Sequence, residues 1–273
     1  MPQCETPTGV SIHYEVSGTG RPLVLVHGWA ASGAFWRFQE PLAESCRLVT
    51  VDLRGHGRSS SPASGYGLAD LTDDIAALFD ELDLTDAVLL GWSLGAQVAL
   101  AAFPHLRQRL AGLVLIGGTP RFTLADGYDY GLPPAEPRGM GAGIRRDFQK
   151  TMGGFFRRMF AAGELSREQE NRLAREIVIP GRLPEPRVAL ATLDILSTAD
   201  LRDTLQAIDL PVLLIHGGAD TICLPAASRY MANHLPHARL VEMAGAGHAP
   251  FLSRPEECNR LLAAFLETLH GRD

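Results

Sequence analysis

Short, mostly apolar runs alternate along the chain with segments whose apolar residues recur at helical spacing. Residues 68–82 are of the second kind, because Leu71, Ile75 and Leu78 fall on one helical face. Buried strands that alternate with amphipathic helices are typical of a parallel sheet covered by helices on both faces. The pattern therefore predicts an α/β fold. The buried strands are predicted at 23–26, 48–51, 87–90, 113–116 and 212–215, with an edge strand at 9–16 and a helix at 34–42.

This alternation stops after residue 120. Residues 121–187 contain no strand-like run: a lead-in rich in glycine and proline (131–143) precedes helical pieces at about 144–160 and 166–178. The alternation resumes with helices near 188–196, 226–235 and 255–269, and a further strand is predicted at 239–241, before the last helix. We therefore expect a core domain formed by residues 1–120 and 188–273, with a helical cap inserted at residues 121–187.

A serine between two glycines lies where a predicted strand meets a predicted helix. The stretch Gly91-Trp92-Ser93-Leu94-Gly95 follows an apolar run and precedes small residues at helical spacing. This is the pattern of a nucleophile elbow, in which the serine takes a strained backbone conformation and side chains at positions 91 and 95 would collide with neighbouring backbone. The helix dipole favours negative charge at this hydroxyl. Ser93 is therefore the predicted nucleophile.

A serine hydroxyl needs a base, and the base needs an orienting carboxylate. In an elbow-type hydrolase the three follow in the order Ser, acid, His, on loops after strands. Asp220 follows the 212–215 strand, and His248 lies among small residues that would leave its imidazole room to swing. Taken singly, Asp220 could instead cap the next helix, and His248 could be a packing residue. The remaining histidines expected to be surface or packing residues are His13, His105, His234, His237 and His270.

The negative charge that forms when the serine attacks a carbonyl needs two backbone N–H donors. Leu94, the residue after the nucleophile, should supply one. The loop His27-Gly28-Trp29 after the first buried strand should supply the other, from the N–H of Trp29. His27 is expected to hold this loop in place rather than to take part in the chemistry.

Composition and charge limit which partners and cofactors the protein is expected to bind. The net charge of −6 argues against nucleic acid, although residues 121–187 carry 12 basic and 9 acidic side chains. The four cysteines are scattered, and no cluster of His, Cys, Asp and Glu has metal-ligand spacing, so neither a metal nor another cofactor is expected. No apolar run approaches the roughly 20 residues of a membrane span, and the first residues lack a signal sequence. We expect a cytoplasmic monomer that does not bind membranes.

Four stretches carry a resemblance to a known family. They are 26–29 (VHGW), 91–95 (GWSLG), 194–202 (DILSTADLR) and 247–251 (GHAPF). Through them the chain resembles the α/β-hydrolase superfamily over essentially its full length and, within it, the BioH-type carboxylesterases of biotin synthesis. The resemblance implies the α/β-hydrolase fold and a triad of Ser93, Asp220 and His248. It also implies that the amides of Trp29 and Leu94 bind the oxyanion and that Trp29, Trp92 and Phe155 line the acyl channel.

The resemblance also implies a macromolecular partner. In the family, a basic face of the cap receives the acidic acyl-carrier protein. Here that face would be formed by Arg145, Arg146, Lys150 and Arg167, of which only Lys150 and Arg167 lie where the family has its basic residues. The alternative is that these charges form a solvated helix face.

The function implied is hydrolysis of the methyl ester of pimeloyl-[acyl-carrier protein] through an acyl-enzyme. Two alternatives stay open at this point. One is a related hydrolase of small esters, lactones or diketones cleaved at a carbon–carbon bond. The other, from a different class, is a binding protein of this fold that captures a ligand with little turnover.

Overall fold

A computed structural model describes residues 2–178 and 182–269 of the chain. Within this part the strands form one sheet, in the order β1-β2-β4-β3-β5-β6-β7-β8. The pairs from β4 across to β8 are parallel, whereas β2 pairs antiparallel with both β1 and β4. The strands are β1 Gln3–Glu5, β2 Ser11–Ser17, β3 Pro22–Val26, β4 Arg47–Val51, β5 Ala87–Trp92, β6 Leu110–Ile116, β7 Val212–Gly217 and β8 Ala238–Met243. The predicted, mostly parallel sheet is confirmed.

Helices follow most of the strands and cover the sheet. The α-helices are α1 Leu68–Glu81, α2 Leu94–Leu106, α3 Ala135–Arg146, α4 Phe148–Arg158, α5 Arg167–Leu173, α6 Pro186–Thr198, α7 Pro225–His234, α8 Pro250–Ser253 and α9 Pro255–Leu269. Across the two described ranges, none of the helices combines the length and the apolar character that crossing a membrane requires. Residues 179–181 of the predicted cap and residues 270–273, which include His270, lie outside the described ranges.

Two elements near the start of the chain differ in detail from their predictions. The helix predicted at 34–42 is present as a 3₁₀ helix, Gly33–Glu44, with Pro41 inside it. Proline has no N–H to donate and its ring crowds the preceding turn, which disfavours an α-helix there. The predicted edge strand is β2, but it is not at the edge, because the short β1 pairs with its outer side and Cys4 faces Ile12.

The parallel strands form the core and position the site. Every residue of β5 and of β7 is buried, as expected for strands covered on both faces. The carboxyl ends of parallel strands meet at one edge of the sheet, where open α/β folds bind their ligands. Ser93 directly follows β5, and Asp220 and His248 lie in the loops after β7 and β8.

The segment between β6 and α6 contains the predicted helices, but they begin at other residues and follow a stretch of turns and isolated bridges. The 131–143 lead-in belongs to a helix from Ala135 onward, and α6 already begins at Pro186. Proline is tolerated in the first turn of a helix, where Pro137 lies. Gly143 has a packing reason, because a Cβ there would lie 2.9 Å from the hydroxyl oxygen of Thr151 in α4.

Candidate active site

The turn after β5 forces Ser93 into a conformation that few side chains adopt. Its φ is 55° and its ψ is −113°, and its N–H donates to the carbonyl oxygen of Ile116 at 3.0 Å. A Cβ at Gly91 would lie 2.1 Å from the carbonyl oxygen of Gly95, and a Cβ at Gly95 would lie 2.2 Å from that of Val26. Backbone occupies the space on both sides of the serine. Glycine is therefore needed at both positions.

The loop after β3 lies directly against the serine. A Cβ on Gly28 would lie 3.2 Å from the Cβ of Ser93. Trp29 follows Gly28, and Leu94 follows Ser93 at the first position of α2. The backbone N–H groups of Trp29 and Leu94 have no acceptor among the residues of the two described ranges. Two backbone donors thus remain available in the segments that meet at Ser93.

His27 anchors this loop from below. The backbone N–H of Leu53 donates to its Nε2 at 3.0 Å, so its Nδ1 carries the proton and donates to the carbonyl oxygen of Gly28 at 2.8 Å. Burial lowers the pKa of His27 to about 4. A neutral ring with both nitrogens engaged is a support for the loop, which is the role expected from the sequence.

Asp220 and His248 meet at the ends of β7 and β8. Nδ1 of His248 lies 2.7 Å from Oδ2 of Asp220, and both side chains are buried. The other carboxylate oxygen accepts from the backbone N–H groups of Ile222 and Cys223, at 2.7 and 3.1 Å. The residue that caps α7 is Leu224, so Asp220 does not have the capping role that was the alternative for it.

The charge on Asp220 is strongly stabilised. Burial by itself would raise the pKa of Asp220, but His248 and His216 beside it outweigh burial and hold that pKa well below its usual range. The sequence pattern assigns no role to His216, and its only signal is its place at the end of a buried strand, four residues before Asp220. On the other side of the imidazole, Nε2 of His248 is buried and has no hydrogen-bond partner within the described ranges.

The small residues around His248 serve backbone contacts. The N–H of His248 donates to the carbonyl oxygen of Met159 at 2.7 Å, and a Cβ on Gly247 would lie 2.5 Å from that same oxygen. A Cβ on Gly117 would lie 3.1 Å from Nδ1 of His248. Gly117 and Gly247 are thus needed where the backbone and the ring of His248 lie close to neighbouring segments, and the predicted room for the imidazole to swing stays a prediction.

A mostly apolar cavity leads to Ser93. Trp29 and Phe155 line it, with their rings in an edge-to-face contact at 4.8 Å between centroids. The indole N–H of Trp29 donates to the carbonyl oxygen of Ala189 in α6 at 2.9 Å, which fixes the ring. The charged residues of this lining are Glu136 and Arg158, 3.6 Å apart. Phe155 also borders a second cavity, toward Phe35 and Leu183.

Trp92 was expected to line the acyl channel together with Trp29 and Phe155, but its side chain lies elsewhere. It is 1% exposed and does not line the Ser93 cavity. Its ring stacks on Phe35 and meets the edge of Phe251, and its N–H donates to the carbonyl oxygen of His248 at 3.0 Å. Its contacts support the histidine loop, because β5 directs this side chain under the loop rather than into the cavity.

The four basic residues predicted to receive a carrier protein are exposed. Arg145 and Arg146 lie in the last turn of α3, Lys150 lies in α4, and Arg167 begins α5. In the part of the chain that the structure describes, none of the four forms an ion pair. Their charges are free to meet a partner.

The described residues give no candidate metal centre. Residues 2–178 and 182–269 contain no group of three or more His, Cys, Asp or Glu side chains that could hold a metal ion. All four cysteines are free and buried. Burial raises the pKa of Cys223, beside the site, well above its usual value, so this thiol stays neutral.

Comparison with known proteins places this geometry in a family. The sequence model of the alpha/beta hydrolase fold matches residues 21–255. The pimeloyl-[acyl-carrier protein] methyl ester esterase of Nitrosomonas europaea is 38% identical over 250 residues, which is 90% of this chain and 96% of that protein. The enzyme of the same name from Yersinia enterocolitica is 33% identical over 94% of this chain and 97% of its own.

A solved structure shows the same fold. The esterase from Exiguobacterium antarcticum superimposes with a TM-score of 0.90 at 29% identity, over 97% of this chain and 98% of its own. Similarity thus extends over nearly the whole length in both sequence and structure. The chain belongs to the α/β-hydrolase family and, within it, to the family of the pimeloyl-[acyl-carrier protein] methyl ester esterases.

Proposed function

We propose that this protein is a serine carboxylesterase that hydrolyses the methyl ester of pimeloyl-[acyl-carrier protein] in biotin synthesis. One observation carries the reaction class: a buried Asp220–His248 hydrogen bond of 2.7 Å at the sheet edge where the Ser93 elbow lies. The choice of substrate rests on the full-length similarity to enzymes of that name.

The first half of the reaction forms an acyl-enzyme. Ser93 Oγ attacks the ester carbonyl carbon while Nε2 of His248 takes the hydroxyl proton. The N–H groups of Trp29 and Leu94 bind the resulting oxyanion. His248 then returns its proton to the methoxy group as the C–O bond breaks, so methanol leaves and the acyl group stays on Ser93. Asp220 orients the imidazole and stabilises its charged form.

The second half releases the acid. His248 removes a proton from a water molecule, which attacks the acyl-enzyme carbonyl and forms a second oxyanion in the same place. The proton passes back to Ser93 Oγ when the acyl–oxygen bond breaks. The enzyme returns to its starting state, and the net change is one ester and one water converted to one acid and one methanol.

The lining of the cavity supports an apolar acyl chain as the substrate. Trp29 and Phe155 supply the aromatic walls, and apolar side chains from the predicted cap and α6, among them Met140 and Leu193, form much of the remaining lining. The two charged residues of the lining, Glu136 and Arg158, are exposed. A methylene chain gains about 0.8 kcal/mol per buried CH₂ in such surroundings. We propose that residues 121–187 act as the cap that closes over this chain.

The basic side chains of that cap are the proposed docking surface for the carrier protein. Arg145, Arg146, Lys150 and Arg167 are exposed, and an acidic partner would be attracted to them over a distance of about one Debye length. Arg167 lies at the first position of α5, where the helix dipole disfavours a positive charge. The stability of α5 therefore does not explain why an arginine is found at this position. A monomeric state and a cytoplasmic location remain predictions.

The experiment that tests the function is steady-state hydrolysis of pimeloyl-carrier-protein methyl ester beside free monomethyl pimelate, with Ser93→Ala as the blank. We expect a much higher kcat/KM on the carrier-bound ester. Equal, low activity on both would overturn the substrate and direct attention to lactones and diketones. Labelling of Ser93 by a fluorophosphonate without repeated turnover of a p-nitrophenyl ester would overturn the esterase itself and favour a binding protein.

A further inference from the structure

The carboxylate of Asp220 is contacted by two histidines. Its Oδ2 lies 2.7 Å from Nδ1 of His248 and 3.2 Å from Nε2 of His216, while its Oδ1 accepts two backbone N–H groups. A carboxylate offers about four lone-pair sites. All four are therefore filled, and His216 fills one of the two on the oxygen that faces His248.

The surroundings of His216 determine which of its nitrogens carries the proton. Nε2 lies 2.8 Å from the carbonyl oxygen of Cys223 as well as near the carboxylate, and both of these groups only accept. Nε2 must therefore be protonated and donate to both oxygens. Nδ1 lies 2.6 Å from the hydroxyl oxygen of Ser228 in α7 and can accept its proton. A neutral ring with its proton on Nε2 satisfies every partner.

The fold holds this arrangement in place. His216 belongs to β7, Ser228 to the helix that follows the Asp220 loop, and both are completely buried. The imidazole ring of His216 is thus held between a strand and a helix, which limits its movement. A hydrogen-bonded chain runs from Ser228 through His216 and Asp220 to His248.

We propose that His216 is a positioning residue for the catalytic acid: it holds the Asp220 carboxylate in the orientation that His248 requires during turnover. The proposal rests on the proposed function, because the acid has a catalytic role only if Ser93 is the nucleophile. Without the His216 donor, the carboxylate keeps its two backbone donors but loses one of the two contacts on the oxygen that faces His248, and its charge concentrates on the bond to His248.

Other charged groups near this chain do not take over the role. Arg229 of α7 and Glu242 of β8 pair with each other at 2.6 Å toward the surface. The Cys223 thiol is neutral because burial raises its pKa. His216 contributes to the lowered pKa of Glu242, but Arg229 is the main cause of that shift. Among the described neighbours, Asp220 is the carboxylate that His216 contacts directly.

The test compares His216→Leu, which removes the donor, with His216→Gln, whose side-chain amide can reach the position of Nε2. Turnover of p-nitrophenyl butyrate is measured per active site, counted by fluorophosphonate labelling, over a range of pH. We expect kcat of His216→Leu to fall about 10- to 100-fold, as for loss of a hydrogen bond to a charged group, with KM little changed. The acid limb of its kcat/KM profile should move to higher pH, and His216→Gln should restore both.

A purely structural role gives a different result. His216→Leu would then show a lower Tm and fewer active sites, but an unchanged kcat per site and an unchanged acid limb, which would overturn the proposal. If His216→Leu does not fold, the Ser228→Ala variant is measured in its place. This substitution removes the hydrogen bond to Nδ1 of His216 and leaves Asp220 and its direct contacts unchanged. A shift of the acid limb in the same direction supports the proposal, and no shift overturns it. An inactive wild type would instead refute the proposed esterase.

Discussion

The two halves of the candidate site are built in different ways. The half at the strand ends consists of backbone packed on backbone: Gly91, Gly95 and Gly247 each lie where a Cβ would come within 2.6 Å of a neighbouring main-chain atom. The half formed by residues 121–187 is less uniform: a Cβ on Gly131 would lie 2.4 Å from the main chain of Thr123, but a Cβ on Gly139 or Gly154 would meet nothing within 4 Å. It contributes side chains: an aromatic wall at Phe155 and an exposed set of positive charges.

This difference separates the tasks of the two halves. Chemistry needs reacting groups held to fractions of an ångström, and close backbone contacts at the end of a buried sheet provide that. Selection among substrates needs surfaces and charges, which a helical segment can change without disturbing the sheet. We therefore expect substitutions in the strand-end half to abolish turnover or folding and those in the other half to alter substrate preference.

The largest effect is expected at the nucleophile. Ser93→Ala and His248→Ala should each lower kcat about a millionfold, because triad members act as a unit. The double variant should be hardly worse than either single one. Single-turnover measurement of p-nitrophenyl butyrate hydrolysis gives these rates. Effects of the two substitutions that multiply would contradict a shared mechanism.

Glycine substitutions compare the two halves directly. Gly95→Ala should lower the free energy of unfolding by about 4 kcal/mol or prevent folding, because its Cβ would lie 2.2 Å from the carbonyl oxygen of Val26. Gly154→Ala, in the middle of α4, is the matched control. It should raise stability by about 0.5–1 kcal/mol, because alanine favours a helix.

Urea titration of both variants measures this pair. Equal and small effects at the two positions would mean that the strand-end half yields as easily as the helical segment. The contrast between the halves would then be lost.

Acid should destabilise the strand-end half. Burial lowers the pKa of His27 to about 4 and that of His56 to about 3, and their rings lie 5.2 Å apart. These folded-state pKa values lie below the unfolded value of about 6.5, so the stabilisation is present above pH 6.5 and is lost as the pH falls toward 4. For each of the two rings, the free energy of unfolding should fall by about 2 kcal/mol when the pH is lowered from 7 to 5.

Urea titrations of wild type and His56→Gln at both pH values test this expectation. The variant should lose about half of the acid-dependent drop, whereas His237→Gln, at an exposed position, should leave it unchanged. Residues 121–187 contain no histidine. A drop of equal size in both variants and wild type would place the acid sensitivity elsewhere.

The smallest effect is expected at the basic surface. Replacing Arg145, Arg146, Lys150 and Arg167 with glutamate should raise KM for the carrier-bound ester about tenfold and leave the free methyl ester unchanged. A matched comparison sets Lys150→Glu/Arg167→Glu against Arg239→Glu/Arg260→Glu, which makes the same charge change outside the predicted cap. Docking at this surface would be refuted if KM rose equally for the carrier-bound and the free ester. It would also be refuted if the two double variants raised KM for the carrier-bound ester equally.

The sequence by itself determined the sheet and the order of the groups that follow it. Apolar runs predicted the buried strands, and the Gly-x-Ser-x-Gly pattern predicted the elbow, because a turn this tight leaves a narrow choice of residues. These are local properties, and each is readable within a dozen residues. The same reasoning located Asp220 and His248 after β7 and β8, since parallel strands bring their carboxyl ends together.

Only the tertiary structure decided what each side chain meets. His216 became visible beside Asp220 because strand β7 and helix α7, separated by a loop, close around the same carboxylate. Trp92, expected in the acyl channel, packs under the His248 loop. The glycine-rich 131–143 lead-in is helical from Ala135, and within it Gly143 lies close to Thr151 of α4. These outcomes depend on contacts between segments far apart in sequence, and a local pattern of residue types carries no record of such contacts.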